Sequence, residues 1–135
     1  MPRNRRPRVA TAADFRAFLG REPPPIWTGL VAEDEAGEIV AAGAVIWDEY
    51  GRAWGSYSTR QPLLAVTMHR AARRMLAALK AVEEPALYTF CSQSIPGAEK
   101  WLRRLGFEPA PKLTTDPEHP VWVCDLSRFG GSGAR

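Results

Sequence analysis

The stretch Ile95-Pro-Gly-Ala-Glu-Lys-Trp-Leu-Arg-Arg-Leu-Gly-Phe107 constrains the fold of this chain more than any other segment. Ala98, Trp101, Leu102 and Leu105 recur at three- and four-residue spacing, so they share one face of a short helix. Lys100, Arg103 and Arg104 fall on the solvent side and in the last turn, where cations suit the negative end of the helix dipole. Gly106 stands where a left-handed C-cap is needed, and Phe107 then turns back toward the core. What precedes this helix gives it meaning.

Thr11 caps a first short helix, with Asp14 in its first turn and Phe15, Phe18 and Leu19 as apolar residues; Gly20 and Pro23-Pro-Pro25 end it. Ile26 to Glu33 predicts a strand, Glu35 to Glu38 an acidic turn, and Ile39 to Trp47 a second strand, the clearest hairpin in the chain. Asp48-Glu-Tyr-Gly51 turns again, and Ala53 to Ser58 predicts a third strand. A long helix follows from Pro62 to about Val82, with Leu64, Met68, Ala72, Met75, Leu79 and Val82 in a stripe. His69 stacks over Arg73 and Arg70 over Arg74 on its polar side. Ala86 to Cys91 predicts a buried parallel strand, Pro109 to Pro120 an irregular segment, and Val121 to Leu126 a closing strand. The order predicts an α+β layered fold: an antiparallel N-terminal meander in a mixed central sheet, with helices on both faces.

The chain has 135 residues, the length of one domain, with an expected division into a basic arm (1–10), a folded domain (11–127) and a glycine-rich tail (128–135). The net charge of +3 is concentrated in Arg3, Arg5, Arg6 and Arg8; without them the balance is slightly acidic. Such an arm suits nucleic acid or an acidic protein surface, or serves as a solvated tail, and no aromatic residues interleave it as a stacking platform requires. No apolar run reaches membrane-spanning length. Cys91 and Cys124 read as small core residues of a reducing cytoplasm, and no Cys/His grouping has metal-ligand spacing.

The element order and the Trp101-Leu-Arg-Arg-Leu-Gly-Phe107 motif resemble the GNAT superfamily of N-acetyltransferases over roughly Thr11 to Leu126. Gly51-Arg-Ala-Trp-Gly-Ser56 and the arginine-rich long helix are further similar to phage-encoded, acetyltransferase-like virion or assembly proteins. The resemblance implies acetyl-CoA between the strands ending near Ser58 and Cys91, with Ser92 and Ser94 beside its pantetheine arm. It implies a pyrophosphate loop at Thr67 to Ala72, where free N–H groups at a helix start bind anions. Ala72 fits that loop, but Arg70 replaces its middle glycine. The alternative anion site is the helix start at Thr59-Arg-Gln-Pro62, with Arg60 or Arg70 supplying charge. Leu102 occupies the position where the family often has a tyrosine acid. Glu33, Asp48 and Glu49 are the candidate general bases at strand ends, and His69 is a further one on what reads as an exposed face.

Three readings stand at this level. One is an acyl-CoA-dependent N-acyltransferase acting on an amine. The second is a catalytically inactive, phage or prophage virion-associated or assembly protein that uses the fold as a scaffold for phage or host partners. The third, built on the arm, is nucleic-acid binding. The first places the protein in the cytoplasm, and the second allows it in a virion.

Overall fold

The computed structural model describes residues 7–59, 65–92 and 96–129, without the side chains of Thr59 and of residues 65–67. The elements in chain order are β1 (Arg8–Val9), α1 (Ala12–Leu19), β2 (Trp27–Glu33), β3 (Ile39–Trp47), β4 (Ala53–Thr59), α2 (Ala65–Ala81), β5 (Ala86–Phe90), α3 (Ala98–Leu105), β6 (Phe107–Pro109) and β7 (Val121–Asp125). They form one seven-stranded sheet in the order β1-β2-β3-β4-β5-β7-β6. Only β4 and β5 run parallel; every other neighbouring pair is antiparallel. The expected fold class is the one observed.

Alternation along the strands divides the side chains between two faces. Val45, Ala53, Leu87 and Cys124 point to the face covered by α2 and α3, where Leu76, Leu79, Leu102 and Leu105 complete the main core. Fully burying one such leucine contributes about 1.5–3 kcal/mol. On the opposite face α1 covers β2, its one buried residue Phe15 meeting Trp27 edge-on at 4.9 Å. Thr11 and Asp14 close a reciprocal capping box at the start of α1. Farther along that face Trp54 stacks on Phe90 at 5.2 Å, and Phe90 is 57% exposed. The expectation of a fully buried β5 therefore holds on the helix face only.

Several boundaries differ from the sequence reading. Arg8 and Val9, assigned above to the basic arm, pair with β2 as an edge strand. The Arg8 guanidinium also pairs with Asp14 at 2.7 Å and Glu33 at 3.0 Å. Phe107 opens β6 opposite Cys124, so the irregular segment begins only after Pro109. Val82 lies past the end of α2 and is exposed. Arg128 and Phe129 belong to the closing turns, where the Lys80 ammonium donates to the Phe129 carbonyl at 2.6 Å. Leu64, Pro62, Arg3, Arg5 and Arg6 lie outside the described residues.

Two turns tie chemistry to stability. Gly106 adopts φ +106, and its N–H bonds the carbonyls of Arg103 and Leu102. A Cβ added there would lie 3.7 Å from Cys124 Sγ, an ordinary contact, so the glycine is required by backbone conformation. In the β3–β4 turn Asp48 accepts from the N–H groups of Tyr50 and Arg52, from Arg52 Nε and from Trp54 Nε1. Partial burial by itself would raise the Asp48 pKa. The four hydrogen bonds outweigh it and hold the carboxyl at about 2. Asp14 is likewise held at about 2, chiefly by its bond from Arg8.

Gly106→Ala should cost about 1–2 kcal/mol, measured as a lower urea midpoint with an unchanged slope. A loss below a few tenths would show that the left-handed cap is not a constraint. The two depressed carboxyls stabilise the fold above their unfolded pKa and lose that contribution as pH falls through their folded values. Urea midpoints should therefore drop between about pH 4 and pH 2, and drop less steeply in Asp48→Asn. Identical acid profiles for the two proteins would contradict the role given to Asp48.

Candidate active site between β4 and β5

The sheet splits at its one parallel pair. β4 pairs with β5 only from Ala53–Leu87 to Gly55–Thr89, whereas it stays paired with β3 as far as Thr59. β5 is bonded to β7 along its whole length, and the Cys91 N–H continues that pairing to the Pro120 carbonyl at 2.9 Å. β5 thus follows β7 while β4 follows β3. The Thr89 hydroxyl donates to the Gly55 carbonyl at 2.9 Å where the ladder ends. Beyond it, Ser56 to Thr59 have no ladder partner on the β5 side among the described residues.

The split opens onto an apolar cavity of about 150 Å³ between the sheet and the two helices. Gly43, Gly55 and Tyr57 contribute from the sheet, Met68 and Met75 from α2, and Trp101 from α3. Tyr57 is 41% exposed, its ring 6.1 Å from that of Trp101. None of the described lining residues is Asp, Glu, His, Lys or Arg. The cavity can hold an apolar group, and the open edge of β4 can pair with amide groups of an extended ligand.

The sequence-derived candidates fall into three groups. Ala72 lines the cavity, Ser58 and Thr59 lie on β4 past the end of the ladder, and Ser92 stands half-buried just after β5. Arg70 is exposed on α2. Arg60 and Ser94 lie outside the described residues. The carboxylates are not brought to the split. Glu33 sits two strands away, paired with Arg8. Asp48 and Glu49 occupy the turn before β4, at the end of that strand remote from the opening. Asp48 at about 2 is also far too weak a base for neutral pH.

Other groups are assigned by their surroundings. His69 is half-buried, not exposed as the arginine-rich spacing suggested, and its Nδ1 is shielded without a hydrogen-bond partner. The Arg73 guanidinium lies over the Phe129 ring at 5.1 Å. Burial pushes the Cys91 thiol up, with the Glu99 charge adding to it, and burial pushes Cys124 up to about 11. Neither thiol forms a thiolate readily at neutral pH, so both act as core residues. The described residues hold no cluster of metal-ligating side chains. No helix among them is long and apolar enough to cross a membrane.

Sequence reasoning passed over Gly43, Gly55 and Tyr57, treating the tyrosine as strand bulk. The available signal was glycine inside two adjacent strands, which marks a close approach or an open space.

No protein-family model and no curated protein matches this chain. Solved structures do. An N-acetyltransferase from Staphylococcus aureus Mu50 superposes with a TM-score of 0.65 at 11% identity, covering 94% of this chain and 99% of its own. A GNAT superfamily phosphinothricin acetyltransferase from Sinorhizobium meliloti, solved in complex with AcCoA, gives 0.66 at 15% identity, covering 96% and 91%. A GNAT-family acetyltransferase, also from Staphylococcus aureus Mu50, gives 0.59 at 10% identity, covering 74% and 68%. At such identities the likeness is one of architecture, and it agrees with the mixed sheet and its single parallel split: this chain has the fold of the GNAT acetyltransferases.

Proposed function

We propose that this protein is an acyl-CoA-dependent N-acyltransferase that binds its thioester donor in the split between β4 and β5. The observation that carries the reading is the early end of the β4–β5 ladder, directly above an apolar cavity. The open edge of β4 offers backbone donors and acceptors to the amides of a pantetheine arm, and the cavity offers a dry seat for the acyl group. Acyl-CoA, when bound, supplies an activated carbonyl to an amine. A polarising hydrogen bond to that carbonyl comes from β4 backbone N–H groups. Arg70, exposed on α2, is the described cation suited to the phosphates, in place of a glycine cradle.

Tyr57 takes the role that Leu102 cannot. Among the described lining residues its phenol is the proton donor suited to the leaving group: as the amine nitrogen bonds the carbonyl carbon and the C–S bond breaks, it protonates the departing thiolate, and the proton that the nitrogen loses restores the phenol. Because none of the described lining residues is a carboxylate or an imidazole, the acceptor reaches the site as the free amine.

One observation favours a second reading, a non-catalytic scaffold of the phage-encoded kind. Leu102, at the family's tyrosine position, is 8% exposed and packed into the core, so α3 has been committed to packing. A role for the N-terminal arginines in nucleic-acid binding has less support, because Arg8 is already engaged by Asp14 and Glu33.

Calorimetry should detect binding of acetyl-CoA and CoA, and Tyr57→Phe should leave their affinities unchanged within about twofold. Against a panel of amines the same variant should lose about 100-fold in turnover. Binding with no turnover for any amine would favour the scaffold. Absence of binding at millimolar nucleotide would overturn the proposal.

A further inference from the structure

The cavity beneath the split is larger than an acetyl group requires. About 150 Å³ is the size of an engineered apolar cavity that binds benzene, six carbons, whereas acetyl has two. The room arises from small residues facing α2 across β3 and β4, chiefly Ala41, Gly43 and Gly55.

Three glycines of the meander differ in what an added side chain would meet. Gly29 is forced, because a Cβ there would lie 2.8 Å from the Gly43 carbonyl oxygen. At Gly55 a Cβ would touch the Leu87 side chain at 3.4 Å, the near edge of ordinary contact. Gly43 has no such reason. It lacks the positive φ that favours glycine, and an added Cβ would meet nothing nearer than the Ser56 carbonyl oxygen at 3.8 Å. An alanine would fit sterically, and glycine in a strand interior weakens the strand. Its effect is to keep the floor of the cavity open.

Resting on the acyl-CoA reading above, we infer that this cavity is an acyl chamber and that the donor carries a straight aliphatic chain of about four to six carbons. The chamber is continuous with the split, since Gly55, Tyr57 and Thr89 line it together with Gly43 and Met68. A thioester seated at the end of the ladder would send its chain between the sheet and α2. Met68 and Met75 are unbranched and adapt to a chain that rotates. A charged or hydroxylated acyl group would find no compensating partner among the described lining side chains beyond Ser56, Tyr57, Thr89 and the Trp101 indole.

Each methylene buried there should tighten binding by about fourfold. Hexanoyl-CoA should therefore bind at least about tenfold more tightly than acetyl-CoA in calorimetry, with the gain lost again at dodecanoyl-CoA. Filling the floor in Gly43→Leu should bring the hexanoyl-to-acetyl affinity ratio toward one. Gly43→Ala, the milder change, should reduce it partway, and a cooperative thermal melt of each variant shows that it folds. Acetyl-CoA binding as tightly as hexanoyl-CoA would overturn the chamber while leaving the acyl-CoA reading intact, as would a ratio unmoved by either substitution. Failure of every thioester and of CoA itself to bind would bring down both.

Discussion

The hydrogen bonding of β5 to β7 is the constraint on which the rest of this molecule depends. Parallel strands joined through a helix would ordinarily pair along their full length. Here the antiparallel partner holds β5 from Ala86 to Phe90, and Cys91 extends the hold to Pro120. β4 is held equally firmly by β3 up to Thr59. The sheet keeps both of these pairings past the point where the β4–β5 ladder stops, and it parts between them. The opening is flanked on its two outer sides by strands whose backbone groups are paired.

Packing then decides what the opening is made of. α2 and α3 cover the same face of the sheet, and their buried leucines close the core below and beside the split. Where β3 and β4 carry alanine and glycine opposite α2, an apolar space is left. The charged groups have been drawn elsewhere. Arg8, Asp14 and Glu33 join β1, α1 and β2 at one edge, and Asp48 organises the turn before β4. Among the described residues these ionisable side chains serve the scaffold, and the cleft is lined by apolar side chains, hydroxyls and aromatic rings.

Much of this was legible from residue patterns. The hairpin between Ile39 and Trp47 and the strand before it, the two stripes on α2 and α3, and the stop at Gly106 follow from local periodicity and from conformations that only glycine adopts freely. The resemblance on Trp101 to Phe107 led to the correct architecture. The edge strand Arg8–Val9 was not legible, because two residues carry no period and an arginine beside prolines reads as solvent-exposed. β6 was missed for the same reason, being only three residues long. Glu33, Asp48 and Glu49 looked like candidate bases because a sequence shows that a carboxylate lies at a strand end but not which end of the sheet that is.

The sequence by itself determined the element order, the layered class and the absence of a tyrosine at Leu102, since these rest on neighbours within a few residues or on residue identity alone. Only the tertiary structure decided that β4 and β5 part after Gly55 and Thr89, that Tyr57 and Trp101 face each other across the opening, and that Gly43 floors a cavity. Those facts depend on which distant strand satisfies each backbone group. That choice joins residues some thirty positions apart, such as Gly55 and Thr89, and no local pattern encodes it.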